Sequence, residues 1–322
     1  MAAPSTPMSP AEKYFKTALA GAACASITHA VLVPLDVVKT RLQVQAGHFP
    51  STTAAFSQIL AKEGPRALMV GFTPTLVGYC VQGAAKFGLF EILKEKAAIV
   101  FGTEFTSRNS LLVYMCAAGM AEGVATVFLT PFEAIRIRVL SRQVATGEYY
   151  SMTRKAAKIY RLEGLNGFYK GLVPILLKQV PYTVVQLAAF TTFVDITYSS
   201  LVPRFLGKTK KDLGPSSQLA VTLGCGVTAG VLSALVSHPQ DTILSRINMS
   251  KTPEELAKDV AEGRNTNLKK ITYIIKNMGF RGLWVGIGLR SVFVGTLSAG
   301  MFLIYDSVKL AVGLPTTGGY KS

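Results

Sequence analysis

A short pattern occurs three times in this chain and constrains its fold more than any other feature. It consists of a proline, an acid two residues later, and basic residues five and seven positions after the proline. Its copies begin at Pro34, Pro131 and Pro239, although Leu244 replaces the first base of the third copy. The copies lie about 100 residues apart, and each follows a long apolar stretch. The sequence therefore predicts one helical unit repeated three times.

Six apolar windows accompany the three copies, two for each repeat. They cover residues 18–33, 73–90, 111–130, 174–193, 219–236 and 291–312. Each is close to the roughly 20 residues that a membrane-spanning helix requires. Charged residues make up only 16% of the chain, below the approximate quarter of a soluble domain. We therefore predict an all-α membrane protein with six transmembrane helices in three pseudo-threefold repeats; a soluble all-α bundle is the alternative.

The repeats divide the chain into five segments. We predict a short N-terminal tail (1–13), repeats over 14–105, 106–208 and 209–313, and a C-terminal tail (314–322). Each repeat is expected to contain a long helix broken at the signature proline, a basic loop, a short helix, a glycine-containing turn and a second span. Because the number of spans is even, both termini are expected on the same side of the membrane.

Composition and local motifs exclude several classes of function. The net charge of +16 is distributed through the repeats without a basic arm. We therefore predict that the basic residues face an anionic membrane surface and that the chain does not bind nucleic acid. The four cysteines fall in predicted spans without the paired spacing of a metal or redox site. With three histidines and no Ser-His-Asp arrangement or P-loop, the chain is not expected to be an enzyme.

The signature and a second marker resemble the mitochondrial carrier family over nearly the whole chain. The second marker is an acid-Gly pair followed by an aromatic-base-Gly triplet, seen most fully in Glu163–Gly171. The resemblance implies six tilted helices around a central pathway, a short amphipathic matrix-side helix in each repeat, and alternating access. It also implies a matrix gate built from Asp36, Lys39, Glu133, Arg136 and Asp241. Because of Leu244, one of its three pairs is absent.

A second gate is implied on the cytoplasmic side. The family pattern there is aromatic-acid-x-x-base, and it supplies Glu91 and Lys94 in repeat 1 and Asp306 and Lys309 in repeat 3. In repeat 2 the corresponding positions are Thr191 and Val194, so both charges are lost. We therefore expect this gate to close with few ion pairs.

Polar residues inside the spans indicate the kind of substrate. His29 and Asp36 share a face of the first span, as do Glu122 and Glu133 in the third. Lysines at this depth favour an anionic substrate, while the histidine and carboxylates provide groups that carry a proton, because burying ionisable groups without a function is costly. The alternatives are a histidine bonded to a neighbouring helix, and lysines that snorkel or pair with Glu122.

Several local strings resemble the phosphate-transporting branch of the same family. This resemblance implies import of inorganic phosphate with a proton across the mitochondrial inner membrane, by a monomer that binds structural cardiolipin and has both termini in the intermembrane space. The implied substrate-binding residues are Gly78, Tyr79, Gln82, Lys86, Lys178, Gln179, Tyr182 and Val294. The implied proton-coupling residues are His29, Asp36, Glu122 and Glu133. Alternatives are a dicarboxylate or another small anion, copper, and a membrane scaffold that does not transport.

Overall fold

A computed structural model describes residues 9–44, 51–146, 151–248, 272–273, 276, 279, 283–284 and 287–318. The described residues form helices and turns without a β-strand. The long helices are α1 (Pro10–Val44), α4 (Phe72–Phe101), α6 (Ser110–Thr146), α9 (Leu172–Ile196), α11 (Pro215–Asn248) and α12 (Ile287–Ala311). The short ones are α2 (Thr52–Glu63), α3 (Pro65–Leu68), α5 (Thr103–Arg108), α7 (Met152–Glu163), α8 (Asn166–Tyr169) and α10 (Val202–Leu206).

The six long helices form the membrane-spanning part of the protein. Within the described residues, six segments are long and apolar enough to cross a bilayer, and each overlaps one of the predicted windows. Many of their large apolar side chains, such as Val31 and Phe128, remain exposed on the outside of the bundle, as expected where lipid is the solvent. The predicted fold class is confirmed.

The spans form a closed ring. Each long helix contacts the next one in chain order, and α12 contacts α1 again. Small residues allow close approach inside a repeat: a Cβ atom placed on Gly230 of α11 would lie only 2.8 Å from Gly295 Cα of α12. Such contacts are typical of helices that associate in lipid, where van der Waals packing rather than the hydrophobic effect holds them together.

The signature prolines lie inside continuous helices, so the predicted break at each proline is wrong. Helix α1 continues through Pro34 to Val44, α6 through Pro131 to Thr146, and α11 through Pro239 to Asn248. A proline removes one backbone donor, but the rest of the hydrogen-bond ladder can continue on either side of it. We call the end of the ring that holds these prolines the proline end, and the opposite end, where α1 begins and α12 finishes, the terminal end.

Short helices follow the first spans of repeats 1 and 2 at the proline end. Helix α2 begins at the N-cap Ser51, whose hydroxyl accepts a hydrogen bond from Ala54 N, and α7 occupies the same place in repeat 2. Both end at a glycine with positive φ, Gly64 at 80° and Gly164 at 64°, a conformation that glycine adopts without strain. In the corresponding part of repeat 3 only isolated residues are described, among them Gly279 with a φ of 62°.

Helix α7 is fastened to the span before it by ion pairs. Arg138 of α6 and Lys170 donate to the same oxygen of Glu163, Oε2, at 2.9 and 2.7 Å. The Lys170 hydrogen bond, followed by that of Arg138, holds the pKa of Glu163 below its usual range. The acid and base of the second marker thus connect a short helix to the bundle.

Candidate functional site

The centre of the ring holds a polar cluster around Glu122 of α6. Its side chain is fully buried. Gln82 Nε2 of α4 donates to Glu122 Oε1 at 2.7 Å, and Thr126 Oγ1 donates to the same oxygen at 3.0 Å. Thr183 Oγ1 of α9 donates to Oε2 at 3.0 Å, and Lys86 Nζ of α4 lies 3.6 Å from that oxygen. One carboxylate therefore joins three helices and balances a buried lysine.

A second buried cluster links α9 to α12 across the ring. Gln186 Nε2 donates to Ser298 Oγ at 2.6 Å and to Tyr182 Oη at 3.0 Å. Both Gln186 and Ser298 are fully buried. On α12, Arg290, Val294 and Ser298 follow one another at intervals of four residues and so share a helix face. The predicted residues Tyr182 and Val294 thus lie beside polar groups that sequence reasoning missed.

His29 packs on Tyr79 between α1 and α4. The two rings are stacked with centroids 3.6 Å apart and an interplanar angle of 14°. The Tyr79 side chain also interacts with Glu133 of α6. The structure therefore brings a residue predicted to bind substrate into contact with two residues predicted to carry the proton.

At the proline end, Arg136 connects repeats 1 and 2. Its Nη2 atom lies 2.7 Å from Asp36 Oδ2 on α1, and its Nη1 atom lies 2.9 Å from Glu133 Oε1 on its own helix. Both acids are predicted gate residues, and both were also assigned to proton coupling. The side chains of the other predicted gate residues, Lys39 and Asp241, lie outside the described part of the chain.

Lys178 of α9 lies towards the proline end, as Arg136 does, and its side chain is exposed. Its charge interacts electrostatically with Glu133, Arg290 and Asp36, which belong to three other helices. An exposed lysine surrounded by such residues faces water inside the ring. Its neighbour Gln179 is half-buried.

Gly78 occupies a different environment from the other predicted substrate contacts. A Cβ atom placed on it would lie 2.7 Å from Phe132 Cβ of α6. This glycine therefore allows α4 to approach α6 closely. This close packing is sufficient to explain why a glycine occupies position 78, whether or not it contacts substrate.

Aromatic rings close the terminal end. Phe190 of α9 and Phe302 of α12 are stacked with centroids 3.6 Å apart and planes 2° apart, and Phe87 of α4 stacks on Tyr305 of α12 at 4.4 Å. The second spans of all three repeats meet in this aromatic cluster, which consists of Phe87, Phe190, Phe302 and Tyr305. These rings are buried, whereas Lys178, which lies nearer the proline end, is exposed.

The predicted cytoplasmic-gate charges lie around this cluster, but they are held locally. Lys94 Nζ is 2.9 Å from Glu91 Oε2 on the same helix. Asp306 accepts a hydrogen bond from Thr222 Oγ1 of α11 at 2.6 Å. Among the described side chains, no ion pair within 4.0 Å joins Glu91 or Lys94 to Asp306 or Lys309.

Comparison with known proteins identifies the scaffold. A family model described as mitochondrial carrier protein matches residues 10–98, 107–200 and 215–314, once for each repeat. The chain belongs to the mitochondrial carrier family. As a member, this carrier is a transporter rather than an enzyme, and it is a multi-pass membrane protein of the mitochondrion. Among the described residues, no group of three or more His, Cys, Asp or Glu side chains is arranged to hold a metal ion.

Three relatives resemble the carrier over nearly its whole length. It is 40% identical to mitochondrial substrate carrier family protein N of Dictyostelium discoideum, over 94% of this chain and 95% of the relative. It is 38% identical to the mitochondrial phosphate carrier protein of Caenorhabditis elegans, over 94% and 82%. It is 36% identical to a probable mitochondrial phosphate carrier protein of Schizosaccharomyces pombe, over 93% and 91%.

The carrier's central site contains polar residues that sequence reasoning missed. They are Thr126, Thr183, Gln186, Arg290 and Ser298. Helical spacing offered a weak signal, because Thr183 and Gln186 follow Lys178 and Gln179 at intervals that keep them on nearby faces of α9. Single serines and threonines are common in membrane helices, where they bond to their own backbone, so residue type alone did not distinguish them.

Proposed function

We propose that this carrier moves inorganic phosphate together with a proton across the mitochondrial inner membrane by alternating access through the central site. The observation that carries the proposal is the set of cationic side chains along the pathway, Lys178, Arg290 and Lys86, beside the buried carboxylate of Glu122. Cations attract an anion, and acids beside them provide a place for the proton. The phosphate carriers of C. elegans and S. pombe, at 38% and 36% identity, support the choice of anion.

Lys178 and Lys86 have separate roles in this proposal. Lys178 is exposed inside the ring and is placed to bind the anion on its way to the proline end, whereas Lys86 is buried and already neutralised by Glu122. Protonation of Glu122 would release Lys86 to bind phosphate. The proton and phosphate would then enter the site together, because a buried lysine without a counter-charge is costly.

Co-transport of a proton also suits the membrane potential. Moving one charge through the membrane changes the free energy by roughly 2.3 kcal/mol per 100 mV. A phosphate monoanion that travels with one proton carries no net charge, so the potential does not oppose its entry. The pH gradient then drives uptake.

Uptake of radiolabelled phosphate into liposomes that contain the purified carrier tests the function. We expect uptake when the liposome interior is made alkaline. A pH dye inside the liposomes should report that the interior becomes more acidic as phosphate enters. Excess unlabelled sulfate or malate should compete much less than excess phosphate. Uptake that malate blocks as well as phosphate does would identify a dicarboxylate carrier, and an absence of uptake for every small anion would indicate a scaffold that does not transport.

His29 is expected to couple phosphate movement to the proton. Replacing it with glutamine removes the titratable group while keeping a polar side chain of similar length. We expect pH-driven net uptake to fall at least tenfold, while exchange of labelled for unlabelled phosphate at equal pH continues. Measuring both modes in the same liposomes supplies the control. Equal losses in the two modes would show that His29 serves packing against Tyr79 rather than coupling.

The proposal includes an orientation. We expect both ends of the chain on the intermembrane-space side, the proline end towards the matrix, and a monomer as the transporting unit. With this orientation, the aromatic cluster lies at the cytoplasmic end of the ring and the Arg136–Asp36 ion pair lies at the matrix end.

We also propose that cardiolipin binds between repeats 1 and 2. Helix α4 begins after Gly71 and α7 begins after Ser151, and these two positions line one cleft of about 180 Å³ together with Arg66. Amide groups at helix N-termini and an arginine form a suitable environment for a phosphate group. The cleft lies at the proline end, where a lipid headgroup can reach it.

Changing Arg66 to glutamine is expected to weaken lipid retention. Native mass spectrometry of the purified carrier should show severalfold less bound cardiolipin, because the cleft loses its cation. Lys62→Gln is the matched control, since this lysine of α2 is exposed and does not line the cleft. Equal retention by both variants would place cardiolipin elsewhere.

A further inference from the structure

The chain continues past α12 and folds back over the terminal end of the ring. We call residues Leu314–Gly318 the strap. Leu314 is 5% exposed and Thr316 is fully buried. A segment without helix or strand that is this deeply buried must be held by specific contacts, because its backbone polar groups cannot all reach water.

The strap engages both gate charges of repeat 3 through one residue. Thr317 donates to Asp306 Oδ1 twice, from its backbone nitrogen at 3.0 Å and from its hydroxyl at 2.7 Å. Lys309 Nζ lies 3.5 Å from the same hydroxyl. Asp306 is fully buried, so these bonds satisfy a carboxylate that has lost its water.

Two further residues hold the strap against the connection between repeats 2 and 3. Lys210 Nζ donates to the carbonyl oxygens of Thr316 at 2.7 Å and of Gly318 at 2.6 Å. Thr316 Oγ1 donates to Gln218 Oε1 of α11 at 2.6 Å. Bonds from a charged donor are stronger than neutral ones, so Lys210 fixes the path of the strap backbone.

The strap also reaches repeat 2 at a position where the gate pattern is incomplete. Gly318 packs on Val194 of α9, and a Cβ atom placed on Gly318 would lie 3.2 Å from Val194 Cβ. Val194 stands where Lys94 and Lys309 stand in the other repeats, and Thr191 stands in place of the acid. Repeat 2 therefore lacks both charges of the gate pattern, and the strap lies where they are missing.

We propose that the Leu314–Gly318 strap is a gating element that fastens repeat 2 to repeat 3 at the terminal end, in place of the ion pair that Thr191 and Val194 cannot make. The strap holds this end closed and must detach before α9 and α12 separate. The inference rests on the proposed alternating access, but it does not depend on which solute is carried.

A reversible cross-link tests whether the strap has to move. Val194 and Gly318 are both replaced by cysteine. Cys80 and Cys116, the two native cysteines outside the buried core, are first replaced by alanine. The Cβ separation of about 3.2 Å is slightly below the usual range for a disulfide of roughly 3.5–4.5 Å. We expect oxidation to reduce transport at least tenfold and a reductant to restore it. The two single-cysteine variants control for strain at Gly318, which has a φ of 80°.

A labelling experiment tests closure without any transport measurement. In a second chain without Cys80 and Cys116, Ser298→Cys places a thiol beneath the aromatic cluster. A membrane-impermeant maleimide is added to mitoplasts and, separately, to inside-out vesicles. We expect Thr317→Val to raise the labelling rate severalfold on the face that carries the terminal end, and Thr317→Ser, which keeps the hydroxyl, to label as slowly as the parent.

The two experiments separate this inference from the proposed substrate. Faster labelling of the Thr317→Val chain supports the strap even where phosphate is not transported. Full transport by the cross-linked carrier, or equal labelling of the Thr317→Val and Thr317→Ser chains, would overturn it.

Discussion

Replacing Lys178 with alanine is expected to lower phosphate uptake about 100-fold while leaving the fold intact. The ammonium group faces water inside the ring near Asp36 and Glu133. Losing a charged hydrogen bond to the substrate costs up to roughly 3 kcal/mol, which corresponds to about two powers of ten. Because the side chain is exposed, we expect the free energy of unfolding to change by less than about 0.5 kcal/mol.

Uptake and thermal unfolding measured on the same protein check this prediction. Lys178→Arg keeps the charge and should retain much of the activity. Lys170→Ala is a control outside the pathway, since that lysine is 64% exposed and pairs with Glu163. Uptake by Lys178→Ala within about threefold of the parent would remove Lys178 from the substrate site; a large loss of stability would instead assign it a structural role.

Replacing Glu122 with glutamine is expected to destabilise the carrier strongly. The change leaves the buried Lys86 without its counter-charge, and breaking a buried pair by removing one partner typically costs about 3–5 kcal/mol. Thr126 and Thr183 would also lose the carboxylate that accepts their hydroxyl bonds at 3.0 Å. We expect a lower unfolding temperature and no pH-driven phosphate uptake.

A double-mutant cycle with Lys86→Met separates stability from function. The pair Glu122→Gln with Lys86→Met removes both charges, so we expect it to recover most of the lost stability. Uptake should stay absent in all three variants, because the proposed mechanism needs both charges. A Glu122→Gln protein that unfolds at the parent temperature would mean that Lys86 finds another partner, and recovered uptake in the double variant would exclude the pair from coupling.

Different interactions hold the helices together at the two ends of the ring. At the proline end, Arg136 bridges Asp36 and Glu133 through ion pairs that water reaches. At the terminal end, stacked aromatic rings and the strap replace cross-repeat ion pairs. Each ion pair near water contributes little to the free energy that holds the helices together. Separating the buried aromatic rings, or breaking the hydrogen bonds of the buried Asp306 carboxylate, costs more. The described structure is accordingly closed at the terminal end.

The sequence by itself determined the architecture, because the signals for it are local. A spanning helix is specified by about 20 consecutive apolar residues, and the copies at Pro34, Pro131 and Pro239 mark the repeats whatever their packing. The resemblance to mitochondrial carriers rested on the same motifs, and the family match to all three repeats confirms it. Lysines, histidines and carboxylates in the spans also indicated candidate site residues, because such groups are rare in lipid.

Only the tertiary structure decided which of these groups meet. Gln82 and Glu122 are 40 residues apart, Thr183 and Glu122 are 61 apart, and Gln186 and Ser298 are 112 apart. Such contacts depend on how each helix is rotated about its axis and how closely glycines let the helices approach. The strap is the extreme case: residues 314–318 carry no pattern in the sequence, and their role comes from folding back onto Asp306, Lys210 and Val194.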